Sequence, residues 1–191
     1  SNAIGQVCLI MLRREASSAF FLISMFLLSV QSPIMLADTE IGEASGRAQT
    51  TWSGSVVLNN HYTIPVTDEL VISPCTNVTM SNGVRIYVEG RITVEGTSNC
   101  PVYFDYSGGG DHMGIQFNSS SNGRGSKIDN ASIVHSTYGI TVYGSDPYLA
   151  NVTIWNPDDV GVDLFNSATP TIRNLVIDEA GQDWNFPNYW R

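Results

Sequence analysis

With 191 residues, 42% of them hydrophobic and only 14% charged, the chain is long enough for one domain with a buried core and is neither a disordered tail nor a polytopic membrane protein. Eighteen acidic against nine basic residues leave a net charge of -9, the wrong sign for a phosphate backbone, so nucleic acid is excluded as a partner. A single lysine, Lys127, stands beside fifteen asparagines, a profile that disfavours helices, whose exposed faces draw on Lys, Glu and Arg.

The N-terminal segment reads as an address. Ser1-Asn2-Ala3 has the form of a cleaved expression tag and is set aside. Arg13 and Arg14 precede the apolar run Ala19 to Val30, and Gln31-Ser-Pro-Ile-Met-Leu-Ala37 offers a cleavage site after Ala37. Positive charge, apolar stretch and small residue in that order make a secretory signal. Met35 is large for its place before the cut, which leaves an uncut N-terminal anchor as the alternative; Ala19 to Ala37 is just long enough to span a bilayer. Such an anchor is the only membrane contact expected. The predicted location is extracellular or at the cell surface. The predicted organisation is 1–37 tag remnant and signal or anchor, 38–50 linker and 51–191 one β domain.

From Trp52 onward no stretch has helical spacing of apolar residues. Short runs rich in Val, Ile, Thr, Tyr and Phe alternate in and out, cut by Gly, Asn, Ser, Asp and Pro. The runs also repeat. Gly139 to Ile154 lies over Gly161 to Ile177 with one residue inserted, an earlier copy starts at Gly114, and Leu70 and Ile72 recur as Ile92 and Val94. A period of about 22–25 residues built from short strands is one turn of a right-handed parallel β-helix, an all-β solenoid of about five to six coils. Leucine-rich repeats would need their own leucine frame, and a β-sandwich would not repeat at one spacing.

Alternation assigns faces. Ile115, Phe117, Ile140, Val142, Val162 and Leu164 point inward, as do Ala131, Ile133, Val152, Ile154, Leu175 and Ile177. Asn130, Asn151 and Asn174 share one turn position and form a structural amide column. If turned inward, Asn130 and Asn151 are beyond the reach of glycosylation, although both begin acceptor triplets; Asn77 and Asn118 remain acceptor candidates. Two cysteines, Cys75 and Cys100, follow the signal. Aligning Val78 with Val102 sets them in neighbouring coils within disulfide range, so a bridge is predicted.

The stretches Leu70-Val-Ile-Ser-Pro74, Val84-Arg-Ile-Tyr-Val-Glu-Gly-Arg-Ile-Thr-Val-Glu-Gly-Thr97, Cys100-Pro-Val-Tyr-Phe104 and His112-Met-Gly-Ile-Gln-Phe117 resemble the opening coils of secreted right-handed β-helix proteins of the pectin-lyase-like superfamily. The resemblance covers about residues 52–180. It departs at Met113, where many relatives carry Trp, and at Cys75, where Gly is frequent. It implies the fold and leaves the activity open among lyases, hydrolases, adhesins and carrier proteins.

Two kinds of site are legible. Asp158, Asp159 and Asp163 are candidate catalytic carboxylates, because hydrolases of the superfamily that the chain resembles use grouped Asp; the same oxygens suit Ca²⁺, the one cofactor considered. Asp163 is expected to point outward and the other two to lie in the preceding turn. The second is a strip in which Tyr143 and Phe165 stack outward beside Gln116, Thr141 and Asp163: rings for sugar C–H faces and polar groups for hydroxyls, hence a polysaccharide or surface glycan as ligand. His112 is expected in an exposed turn, and His135 in register with Asn156 and Asp178. No two histidines have ligand spacing, so no transition metal is expected. The expected function is a structural or adhesive module, with a polysaccharide-degrading enzyme as the alternative. A solenoid end needs a cover, and Trp184, Phe186, Tyr189 and Trp190 either cap the last coil or mark end-to-end or C-terminal self-association.

Overall fold

The computed structural model describes residues 47–180; the signal-like segment and the aromatic tail lie outside them. Twelve strands follow in chain order: β1 (Gln49–Trp52), β2 (Ser55–Leu58), β3 (Tyr62–Ile64), β4 (Glu69–Ile72), β5 (Asn77–Met80), β6 (Ile86–Val88), β7 (Arg91–Glu95), β8 (Val102–Tyr106), β9 (Ile115–Phe117), β10 (Lys127–Tyr143), β11 (Tyr148–Phe165) and β12 (Thr171–Asp178). The one helical element among the described residues is a 3₁₀ turn at Ser119–Ser121. β1 starts at Gln49, just inside the stretch read as linker.

Each strand pairs in parallel with the strand one coil away, which makes a parallel β-solenoid of about six coils. One face stacks β1, β4, β7 and the starts of β10, β11 and β12. A second stacks β2, β5, β8 and the middles of β10 to β12. The third stacks β3, β6, β9 and the ends of β10 and β11. Among the described residues β12 has no third-face portion.

The interior follows from alternation. Leu70, Ile72, Val78, Met80, Ile86, Val88, Ile92, Val94, Phe104, Ile115, Phe117, Ile128, Ile133, Ile140 and Val142 have no exposed surface, and like stacks on like from coil to coil. The twelve residues assigned inward from the sequence all face the core side, but the last coils break the burial: Leu164 is 48% and Ile177 43% exposed. No described strand lies beyond them.

Two corners are set by backbone sign. Asn130, Asn151 and Asn174 have φ of 50°, 51° and 50°, and His135, Asn156 and Glu179 have φ of 54°, 50° and 56°. The left-handed region is costly for most residues and least so for Asn, whose short amide bonds nearby backbone. The first column is joined by hydrogen bonds: Asn174 Nδ2 donates to Asn151 Oδ1 (2.9 Å), and Asn151 Nδ2 donates to Asp129 Oδ1 (3.0 Å). Contrary to the inward expectation, Asn151 and Asn174 are exposed, so the amides line the outside of the bend. Asp178 pairs with Trp155; the corner residue one coil beyond Asn156 is Glu179.

Gly139 sits over Gly161, between the pairs Tyr138–Val160 and Ile140–Val162. A Cβ on Gly139 would stand 2.7 Å from Ile154 Cγ2, so glycine is required by close approach rather than by φ. The bridge between Cys75 and Cys100 is present, with Cα atoms 4.7 Å apart. The register around it differs from expectation: Val78 pairs with Phe104 and not with Val102, because a turn closed by the Thr97–Cys100 bridge lengthens this coil before β8.

Candidate functional site

Third-face strands alternate inward and outward residues, so their central positions form an outer column: Thr63, Tyr87, Gln116, Thr141 and Asp163 in successive coils. Around its C-terminal part lies a groove of about 410 Å³ lined by Arg85, Met113, Gln116, Tyr138, Thr141, Tyr143, Asp163 and Phe165. All five residues of the strip read from the sequence lie on this lining. Thr141 points outward yet is only 8% exposed, which means its neighbours rise as walls around it. Tyr143 and Phe165 pair across coils with ring centroids 6.1 Å apart and planes tilted by 38°, and both remain about half exposed. The groove therefore offers an accessible apolar wall beside a polar floor.

That floor is oriented by charge at both ends. The Arg85 guanidinium lies 5.4 Å from the Tyr138 ring centroid, donates from Nε to the Met113 carbonyl (3.0 Å) and from Nη1 to Gln116 Oε1. Gln116 Nε2 donates to Asn118 Oδ1 (2.7 Å), and Asn118 Nδ2 donates to Glu89, which also accepts from Ser120. A cation at one end and a carboxylate at the other fix the sense of both amides. Asn118, an acceptor candidate by its triplet, has its amide engaged in this chain, whereas Asn77 is exposed.

The three candidate carboxylates separate. Only Asp163 lines the groove. Burial first, and then the charge and hydrogen bonding of Asp159, push the Tyr138 phenol above its usual range, against the opposing Arg85 charge. Asp158 turns to Asp111. The hydrogen bond with that second carboxyl, followed by partial burial and Asp111's charge, raises Asp158 to about 6. Both lie where β11 bulges against β10, between the pairs Ser136–Pro157 and Tyr138–Val160. The described residues contain no group of three or more His, Cys, Asp or Glu placed to hold a metal.

The histidines also depart from expectation. His112 is fully buried, not in an exposed turn. Its Nε2 lies 3.1 Å from the Val134 carbonyl and its Nδ1 accepts from the Gly114 N–H (2.9 Å), an arrangement that the neutral ring satisfies. Burial lowers its pKa from 6.5 to about 4, although the Val134 carbonyl works the other way. Asp105 faces His135 (3.8 Å), and the His135 ring is stacked edge-on between Tyr106 and Trp155. These groups brace the second corner.

Arg85, Met113 and Tyr138 were not foreseen as lining the groove. The coil from Ile86 to Ile115 runs 29 residues, so the 22-residue period gives no register for Arg85; the Tyr-Gly pair at 138–139 was the available signal for Tyr138. Comparison of the chain with family models, with curated proteins and with solved structures finds no match. The geometry thus defines the class, a parallel β-solenoid with an aromatic-polar groove on one face. No helix among the described residues is long and apolar enough to cross a membrane.

Proposed function

We infer that this chain is a secreted or cell-surface structural module that holds carbohydrate in its third-face groove. One observation carries the reading: Gln116, Thr141 and Asp163 from three successive coils line the same groove as the half-exposed Tyr143 and Phe165 rings. Rings stack on sugar C–H faces, and the amide, hydroxyl and carboxylate meet the hydroxyls. The secreted address rests on the signal-like segment and accords with the disulfide. The pectin-lyase-like resemblance supports a polysaccharide as the ligand class.

The alternative, a polysaccharide-degrading enzyme, needs two carboxyl groups flanking the scissile bond, and the groove lining contains one, Asp163. A panel of neutral and uronic polysaccharides tested by calorimetry and by release of reducing or unsaturated ends separates the two. Binding without turnover is expected, weakened about tenfold or more when Tyr143→Ala and Phe165→Ala are combined, since each ring lost removes on the order of 1 kcal/mol. Turnover that Asp163→Asn abolishes would replace the module by the enzyme. No binding across the panel would sink both.

A further inference from the structure

The lining of the third-face groove holds one cation, Arg85, and its charge is already shared. Its guanidinium lies 5.4 Å from the Tyr138 ring centroid and 6.0 Å from that of Tyr87, within cation–π reach of both. Nε donates to the Met113 carbonyl and Nη1 to Gln116 Oε1. Gln116 is engaged at its other end too, where Nε2 donates to Asn118. An anion entering the groove would compete with these partners for the same guanidinium.

The opposite charge is left open. Asp163 stands in register with Thr141 on β10, which stands in register with Gln116 on β9, and all three line the groove. The ion pairs among the described residues take in Glu69, Asp129 and Asp105; Asp163 belongs to none of them. Asp159 adds a second carboxylate nearby, since the Tyr138 phenol of the same lining feels both Asp159 and Asp163, opposed by Arg85. The whole chain carries a net charge of -9, a background of the same sign. Asp163 and Phe165 are two residues apart on β11 and both face the groove, so their Cα atoms are about 6.6 Å apart along one side of the strand. One pyranose spans that distance with its ring on the aromatic and an amine at the carboxylate. The carboxylate and the ring faces of Phe165 and Tyr143 all favour a positive group over a negative one.

We propose that the groove selects amino sugars, pairing the ammonium group of a glycan with Asp163 while the sugar ring stacks on Phe165 or Tyr143. The assignment rests on the groove holding carbohydrate and adds the charge of the ligand to that reading. N-acetylation of the amine removes the charge that Asp163 reads. A uronic acid brings a carboxylate to a groove whose open charge is already a carboxylate, and it is disfavoured.

Calorimetry on the full chain with 1,4-linked oligomers of one length tests the charge: glucosamine, N-acetylglucosamine, glucose and galacturonic acid. At low salt and about pH 6, glucosamine is expected to bind at least about fivefold more tightly than the two neutral oligomers, and galacturonic acid most weakly. Raising the salt to about 0.5 M should shrink the preference for the amine, because a pair of charges is screened and a stacked ring is not. Asp163→Asn, checked by circular dichroism for an intact fold, should bring the glucosamine oligomer down to the level of N-acetylglucosamine. Equal binding of charged and neutral oligomers by the unaltered chain, or tighter binding of galacturonic acid, would overturn the amine selectivity and leave the carbohydrate reading standing. Absence of binding by every oligomer would remove both. A preference that persists undiminished at high salt or in Asp163→Asn would show that another group reads the amine, and it too would overturn the assignment. So would a lysine oligomer whose affinity falls with Asp163→Asn by the same factor, since the groove would then be reading a cationic peptide.

Discussion

Replacing both bridged cysteines measures how far the solenoid depends on a covalent link between coils. Cys75 and Cys100 are 25 residues apart, and closing a loop of that length restrains the unfolded chain by roughly 3 kcal/mol. For a domain whose total stability is on the order of 10 kcal/mol, that is a large share. Cys75→Ala with Cys100→Ala should therefore lower the unfolding free energy by about 3 kcal/mol in urea titrations followed by circular dichroism. A second variant isolates a separate term. Cys75 has φ 61°, a conformation that costs a residue with a Cβ roughly 1 kcal/mol and glycine little. Cys75→Gly with Cys100→Ala should thus be more stable than the alanine pair by about 1 kcal/mol, even though it lacks the same bridge. Hydrogen exchange should place the loosened amides in β4, β5, β7 and β8, the strands on either side of the bridge, because solenoid coils are stabilised mainly by their neighbours. A loss below about 1 kcal/mol for the alanine pair would refute the loop argument. A glycine pair no better than the alanine pair would refute the backbone argument.

Gly139→Ala should cost about 2 kcal/mol or more in thermal melts, since its Cβ has to displace Ile154 or the neighbouring coil; an unchanged melting temperature would mean that the coils can part there freely. His112, lowered to about 4 by burial, gives a pH dependence of definite sign: the unfolded chain takes up a proton below 6.5 that the folded chain refuses, so stability falls as pH drops from about 6.5 to 4, by roughly 3 kcal/mol from this group. Denaturant titrations at pH 7 and 4.5 should show the fall, and His112→Asn should flatten it. Asp158, raised to about 6 by Asp111, acts in the opposite direction, because the folded chain holds a proton between about 4 and 6 that the unfolded chain releases. Asp158→Asn should accordingly raise stability at pH 7 and steepen the loss on acidification; reversed signs would show that the two carboxyls do not meet. Asn151→Ala should cost about 1 kcal/mol or more through its left-handed backbone and the broken amide ladder, and Asn151→Gly less, as read by the same titrations.

The β class, the coil period and the inward residues were readable because stacking repeats one physical demand at a fixed spacing. Gly139 and Gly161 mark the close approach, and Ile140, Val142, Val162 and Leu164 fill the same inward positions one coil apart. Where a coil carries an insertion, that legibility ends. The Gly108–Gly110 turn, all at positive φ, lengthens the coil ahead of β9 and hides both the burial of His112 and the approach of Arg85 to Gln116. The turn before Cys100 shifts Val78 from Val102 to Phe104, yet the bridge survives because its position depends on neighbouring coils and tolerates a short slip. The amide column was legible as a column but not as to its side: sequence shows that the asparagines recur, whereas the sign of φ, which turns their side chains outward, is a property of the corner.

The groove draws on a strand segment that is paired on one side among the described residues. Asp163 and Phe165 wall the groove from the β11 segment whose far side has no described partner, and a strand paired on one side opens at lower free energy than one paired on both. A ligand that holds the Phe165 ring against Tyr143 therefore has to order this segment as well, and part of the interaction energy offsets that ordering. Polysaccharide binding should then slow hydrogen exchange at residues 162–165 while leaving the protection of β4, β5 and β8 unchanged. If binding leaves exchange at residues 162–165 unchanged, the groove is organised by β9 and β10 alone, and Gln116, Thr141 and Arg85 carry its affinity.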